Sequence, residues 1–210
     1  MRPSSKQWLY AGLVLMAGLG VVKLLNGPRI RKGMRVLLVG DSLAVGTAPH
    51  FAALAKEAGV EFKSLAKEGT RIDQWASSAE LANLLNAFQP DLVLVSLGTN
   101  DSFMQGGDAA TVARQKPQLE KLLALLTQWP RKKDYGLGPE HLVWIGPPTL
   151  PKPPSPGVSR MIQDAAGNAI SPRFHYFHSE NLLLPRGPDN LHPTARGYAG
   201  WAGAVWHWLS

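Results

Sequence analysis

From Met34 onward, short apolar runs that end on small polar residues alternate with longer stretches of helical period. Val36 to Val39 is a continuous apolar run with β-branched ends, the pattern of a strand covered on both faces of a parallel sheet. It breaks at Gly40-Asp41-Ser42, and the Ala- and Leu-rich stretch from Leu43 to Gly59 then predicts a helix. Glu61 to Ala66 alternates weakly and predicts a second strand, ending in the turn Lys67-Glu68-Gly69-Thr70. Ile72 to Phe88 carries Trp75, Ala79, Ala82, Leu85 and Phe88 at helical spacing and predicts one covering helix, broken by Pro90. A third apolar run, Asp91 to Leu97, stops at Gly98-Thr99-Asn100-Asp101. Asp108 to Trp129 is a long helical stretch in which Leu119, Leu122, Leu123 and Leu126 face a core, and Pro117 predicts a kink or a junction of two helices. The basic, Gly-containing loop from Pro130 to Glu140 should be exposed. His141 to Gly146 and Arg173 to His178 predict the fourth and fifth strands, with a Pro-rich loop and a helix over Gly157 to Ala169 between them. Pro193 opens a C-terminal helix with Tyr198, Trp201, Val205 and Trp208 on one face, a core stripe.

Strands alternating with helices make this an α/β, three-layer domain with a mostly parallel sheet of about five strands. If the strand order is 2-1-3-4-5, one of the two common doubly wound orders, the turns bearing Gly69, Ser42 and Asn100 line one crevice at the carboxyl ends of the strands, where such sheets keep their chemistry. Ser42 is the candidate nucleophile; its other available job is to cap the following helix. What decides between the two is a general base. Asp189-Asn190-Leu191-His192 lies just before the last helix. If that piece is one helical turn, its three-residue spacing puts the carboxylate and the imidazole on the same side. A carboxylate that holds an imidazole in one tautomer is what a serine nucleophile needs. Asp41, Thr99 and Asp101 read as structural support. His50, His141, His175, His178 and His207 lack a carboxylate at supportive spacing, and His175 with His178 is too small a set for a metal.

The first 28 residues are a separate object. From Trp8 to Leu25 the only charge is Lys23, and 18 helical residues rise about 27 Å against a hydrocarbon core of about 30 Å. Residues 1–28 therefore read as a membrane anchor or a signal segment, and residues 29–210 as the catalytic-size domain. No small-x-small cleavage site follows the apolar run, which favours an uncleaved anchor through residues 8–25. Arg2 and Lys6 precede it, whereas Arg29, Arg31, Lys32 and Arg35 follow it, a count that argues for a cytoplasmic domain.

Composition narrows the chemistry. The chain has no Cys, which removes disulfides, thiolate metal sites and a cysteine nucleophile. Its formal charge of +7 is concentrated in the cluster after the apolar segment and in Arg131 to Lys133. Neither cluster is interleaved with aromatics or carries a nucleic-acid motif, so nucleic acid is not an expected partner.

Taken together, Gly40-Asp41-Ser42-Leu43, Gly69, Gly98-Thr99-Asn100-Asp101 and Asp189-Asn190-Leu191-His192 resemble the four ordered blocks of the SGNH (GDSL-type) hydrolases. The Gly-x-Ser-x-Gly elbow of the α/β-hydrolases is absent, since Ala44 follows Leu43. The resemblance covers Met34 to the C-terminus and implies a flavodoxin-like sheet and ester hydrolysis through an acyl-serine. It implies Ser42 as nucleophile, His192 as base and then acid, and Asp189 as the orienting carboxylate. The oxyanion would be held by the backbone N–H groups of Ser42 and Gly69 and by the Asn100 amide. No metal or cofactor is implied. Joined to an anchor, it suggests an extracytoplasmic esterase removing a small acyl group, acetyl among them, from an acylated small molecule, a polysaccharide or a cell-wall polymer. The competing expectations are a lysophospholipase or thioesterase, an O-acyltransferase, and a non-catalytic glycan-binding module.

Overall fold

The computed structural model describes residues 28–131, 136–167 and 173–210. The predicted membrane segment, residues 8–25, lies outside the described residues; among those described, no helix is long and apolar enough to cross a membrane.

The elements follow the predicted alternation: β1 (Arg35–Gly40), α1 (Ser42–Ala58), β2 (Glu61–Ala66), α2 (Ile72–Ala76), α3 (Ala79–Phe88), β3 (Leu92–Ser96), α4 (Thr99–Ser102), α5 (Asp108–Thr127), β4 (His141–Ile145), α6 (Gly157–Gly167), β5 (Phe174–Phe177) and α7 (Ala195–Leu209). The five strands form one sheet in the order β2-β1-β3-β4-β5, and every pairing is parallel. β1 and β3 carry the continuous apolar runs Val36 to Val39 and Leu92 to Val95 because each has a helical layer on both faces. On one face Leu37, Val39, Val93 and Val95 pack with Trp75, Leu81, Leu85, Leu119, Leu122 and Ile162 from α2, α3, α5 and α6. On the other, Val36, Leu38, Leu92 and Leu94 pack with Phe51 and Ala55 of α1 and Trp201, Val205 and Leu209 of α7. β2 is an edge strand with Glu61, Lys63 and Ser64 exposed, which accounts for its weak alternation.

Four expectations need correction. Ile72 to Phe88 is two helices, because Ser78 leaves helical geometry and caps α3, its hydroxyl accepting from Leu81 N at 3.1 Å. Pro117 does not join two helices but sits inside one 20-residue helix, whose buried face carries Thr111, Gln115, Leu119, Leu122 and Leu126. The aromatic stripe of α7 is rotated: Trp201, Val205, Trp206 and Leu209 are buried, whereas Trp208 is 42% exposed. Asp189 to His192 is not a helical turn but the tip of a tight loop, with Asn190 in the left-handed region at φ 54°.

Candidate active site

β1 and β3 approach so closely at their carboxyl ends that a Cβ on Gly40 would lie 2.3 Å from the Ser96 carbonyl oxygen. Glycine at position 40 therefore lets the chain turn at once into α1. Asp41 closes that turn: its N–H donates to Ser96 O at 3.1 Å, and its Oδ1 accepts from Leu43 N at 3.0 Å as the N-cap of α1. Ser42 is thus the first residue of a helix, at the carboxyl end of β1.

The turn after β2 is tied to the same place, with Lys67 N donating to Gly40 O at 3.0 Å. Gly69 sits in it at φ 70° with open space where a side chain would be, a left-handed conformation that favours glycine. Beyond β3, the Asn100 amide donates from Nδ2 to Thr70 O at 2.9 Å and stands 3.5 Å from Asp41 Oδ2. Asn100 thereby joins the Gly69-Thr70 turn to the Gly40-Asp41 turn, leaving one amide hydrogen weakly engaged. The Asp101 carboxylate reaches the other way, both oxygens 3.3 Å from Ile72 N at the start of α2.

The fourth segment arrives from the loop before α7. Arg186 and Pro193 pair as an antiparallel bridge, Gly187 N donates to His192 O at 2.8 Å, and Thr194 N to Pro185 O at 2.9 Å. At the tip, Asp189 Oδ1 accepts from Leu191 N and His192 N at 3.0 and 2.9 Å. Its Oδ2 lies 2.6 Å from His192 Nδ1, and His192 Nε2 lies 2.9 Å from Ser42 Oγ. The tight turn and the helical turn anticipated from the spacing thus give the same result by different routes. Ser42, His192 and Asp189 form one hydrogen-bonded chain from two parts of the sequence, with Gly69 and Asn100 on adjoining turns.

The electrostatics separate two kinds of carboxylate. The hydrogen bond to the His192 ring, then the His192 and Leu191 N–H groups, hold Asp189 down to about 2, so it is ionised beside the imidazole. Burial pushes Asp41 up to about 7 and Asp101 to about 6, partly opposed by the N–H groups of Leu43 and Ile72 respectively. Tyr198 is a neighbour the sequence reading did not connect to the site. Its ring fills the space over Gly46, where a Cβ would be 2.1 Å from Cζ, and burial, then Asp41 and Asp189, push its hydroxyl up to about 12. A glycine one helical turn after the serine was the available signal. The other histidines stand apart: His141 meets His175 across β4 and β5 at 3.3 Å. His178, contrary to expectation, has a carboxylate partner, Glu180 at 2.6 Å. Among the described residues, no three metal-ligating groups come together.

Comparison with known proteins agrees with this frame. No curated protein matches the chain in sequence. Among solved structures, a carbohydrate acetylesterase from Sinorhizobium meliloti is similar with a TM-score of 0.61 at 17% identity, over 83% of this chain and 97% of its own. An aryl esterase from M. smegmatis gives 0.59 at 16%, over 83% and 97%. A variant acetyl xylan esterase from Geobacillus stearothermophilus gives 0.56 at 15%, over 86% and 96%. At these identities the likeness is one of fold. The sequence match is with the GDSL-like lipase/acylhydrolase family over residues 38–199, a span that runs from β1 through the Asp189–His192 loop into α7, and the chain accordingly belongs to that family of carboxylic ester hydrolases.

Proposed function

We propose that the chain is a serine esterase that removes a small acyl group, acetyl first, from a carbohydrate. The observation that carries the mechanism is the Ser42–His192–Asp189 chain at 2.9 and 2.6 Å. His192 Nε2 takes the Ser42 proton as Oγ attacks the ester carbonyl, and Asp189 stabilises the imidazolium that forms. The carbonyl oxygen, now an anion, is held by the N–H groups of Ser42 and Gly69 and by the Asn100 amide hydrogen that only the 3.5 Å contact with Asp41 engages. Collapse of this intermediate expels the alcohol, which takes the proton back from His192 and leaves an acyl-Ser42. Water, activated by the same imidazole, releases the acid. The carbohydrate and acetyl parts of the reading draw on the acetylesterases that share the fold.

A second reading, a lipid-directed esterase, is favoured by one observation. A groove of about 460 Å³ between α1 and β2 is lined by Val45, Ala48, Pro49, Ala52, Phe62 and Ala66, with Ser64 among them. Its upper end is near Ser42, since Ala66 is in register with Gly40 and Val45 N bonds to Asp41 O. Chromogenic esters of increasing acyl length, assayed with the full chain and Ser42→Ala, separate the readings. We expect acetyl ester to be cleaved best and Ser42→Ala to be inactive. A preference for octanoyl over acetyl ester would transfer the assignment to lipids, and equal activity in Ser42→Ala would end both readings.

Residues 8–25 are proposed to anchor the chain, with the catalytic domain outside the cytoplasm. The basic residues from Arg29 to Arg35 oppose that orientation, and protease accessibility of a C-terminal tag in intact cells decides it.

A further inference from the structure

The peptide unit that carries His192 is held at both ends. Its N–H donates to Asp189 Oδ1 at 2.9 Å, and its carbonyl, that of Leu191, accepts from Arg186 Nη1 at 2.6 Å. The other arm of the same guanidinium, Nη2, donates to Thr149 O in the Pro-rich loop. Thr149 is itself pinned, its hydroxyl donating to Glu180 O at 2.8 Å just beyond β5. Among the described residues Arg186 pairs with no carboxylate; its planar fork is committed to two main-chain carbonyls from different segments.

We propose that Arg186 is a positioning residue for catalysis. It clamps the Leu191–His192 peptide plane and makes the orientation of the imidazole depend on the loop from Pro147 to Pro156. This inference rests on the serine-esterase reading and adds to it a link between the loop and the general base. The two bonds on one peptide act together. Turning the plane would break the Arg186 and Asp189 bonds at once and swing the ring off Ser42 Oγ, and donation to the carbonyl polarises the N–H toward Asp189. The backbone bonds of the loop fix its two strands but leave this plane at the tip to the side chains.

Steady-state kinetics on an acetyl ester test this in the full chain, with Arg186→Ala, Arg186→Lys, Thr149→Val and the Ala/Val double variant beside Ser42→Ala. Misplacing a catalytic group by about 1 Å costs up to about 100-fold, so Arg186→Ala should lower kcat about 10- to 100-fold with KM nearly unchanged. Millimolar guanidinium ion, compared with equal sodium chloride, should restore part of the loss. Arg186→Lys should be intermediate, because one ammonium cannot span both carbonyls as a fork. Thr149→Val should lower kcat alone and add nothing in the Arg186→Ala background. The proposal is overturned if Arg186→Ala keeps kcat within about twofold, if its loss falls on KM, or if guanidinium restores nothing. Should Arg186→Ala not fold, parental kcat in both Arg186→Lys and Thr149→Val overturns it equally. A parent that cleaves no ester, or a Ser42→Ala variant as active as the parent, sinks the esterase reading and the clamp with it, a pattern distinct from failure of the clamp alone.

Discussion

Asp41 and Asp189 both feel His192 and respond to pH in opposite senses. Burial keeps a proton on folded Asp41 up to about 7 and on Asp101 up to about 6, while the same groups in the unfolded chain release theirs near 3.8. Between those values the folded state binds more protons, so their contribution is fully present below about pH 4 and is lost as pH rises toward 7. Asp189, held down to about 2, contributes stability above its ordinary 3.8 that is lost as pH falls through 2. Asp41→Asn keeps an oxygen for Leu43 N but has no proton to lose; its melting temperature should fall less than the parent's between pH 4 and 7, as thermal melts across that range would show. For Asn100 the expected effect is on rate. Asn100→Ala removes the proposed oxyanion donor and should lower kcat about 10²- to 10³-fold, read from kcat at saturating acetyl ester. The sequence pointed to Asn100 as a donor. It could not indicate that the same amide already holds Thr70 O, because that contact joins two turns 30 residues apart.

At the scale of elements, β1 and β3 leave no room between them at the site. A methyl at Gly40 would press on the backbone carbonyl of Ser96 and on the Ala44 Cβ at 2.5 Å, and the carbonyl cannot yield without moving β3. Gly40→Ala should therefore destabilise the fold by at least the roughly 1–3 kcal/mol typical of overpacking, measured by denaturant titration. Strands β1, β3 and β4 were legible in the sequence because each is buried on both faces and so carries a continuous apolar run, Val36 to Val39, Leu92 to Val95 and Leu142 to Ile145. The division of Ile72 to Phe88 into α2 and α3 was not, since apolar spacing continues across a break made by one serine cap. The Asp189–His192 tip was misread in form but not in outcome. Two backbone N–H groups on one carboxylate oxygen substitute for a helical turn in bringing the carboxylate to the ring.

For the whole molecule, the order β2-β1-β3-β4-β5 collects three turns at one end of the sheet, which is why blocks scattered along the chain could be read as one site. The clamp through Arg186 escaped that reading because it acts through backbone carbonyls, which leave no trace in residue type. The N-terminal segment makes its own prediction. The full chain should stay with membranes through an alkaline carbonate wash, and a chain lacking residues 1–28 should not; release of the full chain would remove the anchor.

The bond between Ser42 and His192 spans 150 positions of the chain, and this has a consequence in time. β1 pairs with β3 across the intervening β2 unit, and the His192 loop leads directly into α7, whose Trp201, Val205 and Leu209 pack on the sheet. Contacts so distant in sequence form late, because the entropy of closing the chain must be met before they add anything. In refolding experiments, helix content should return before esterase turnover, and turnover should return with the last cooperative step. The active site would then serve as a clock for the completion of the fold.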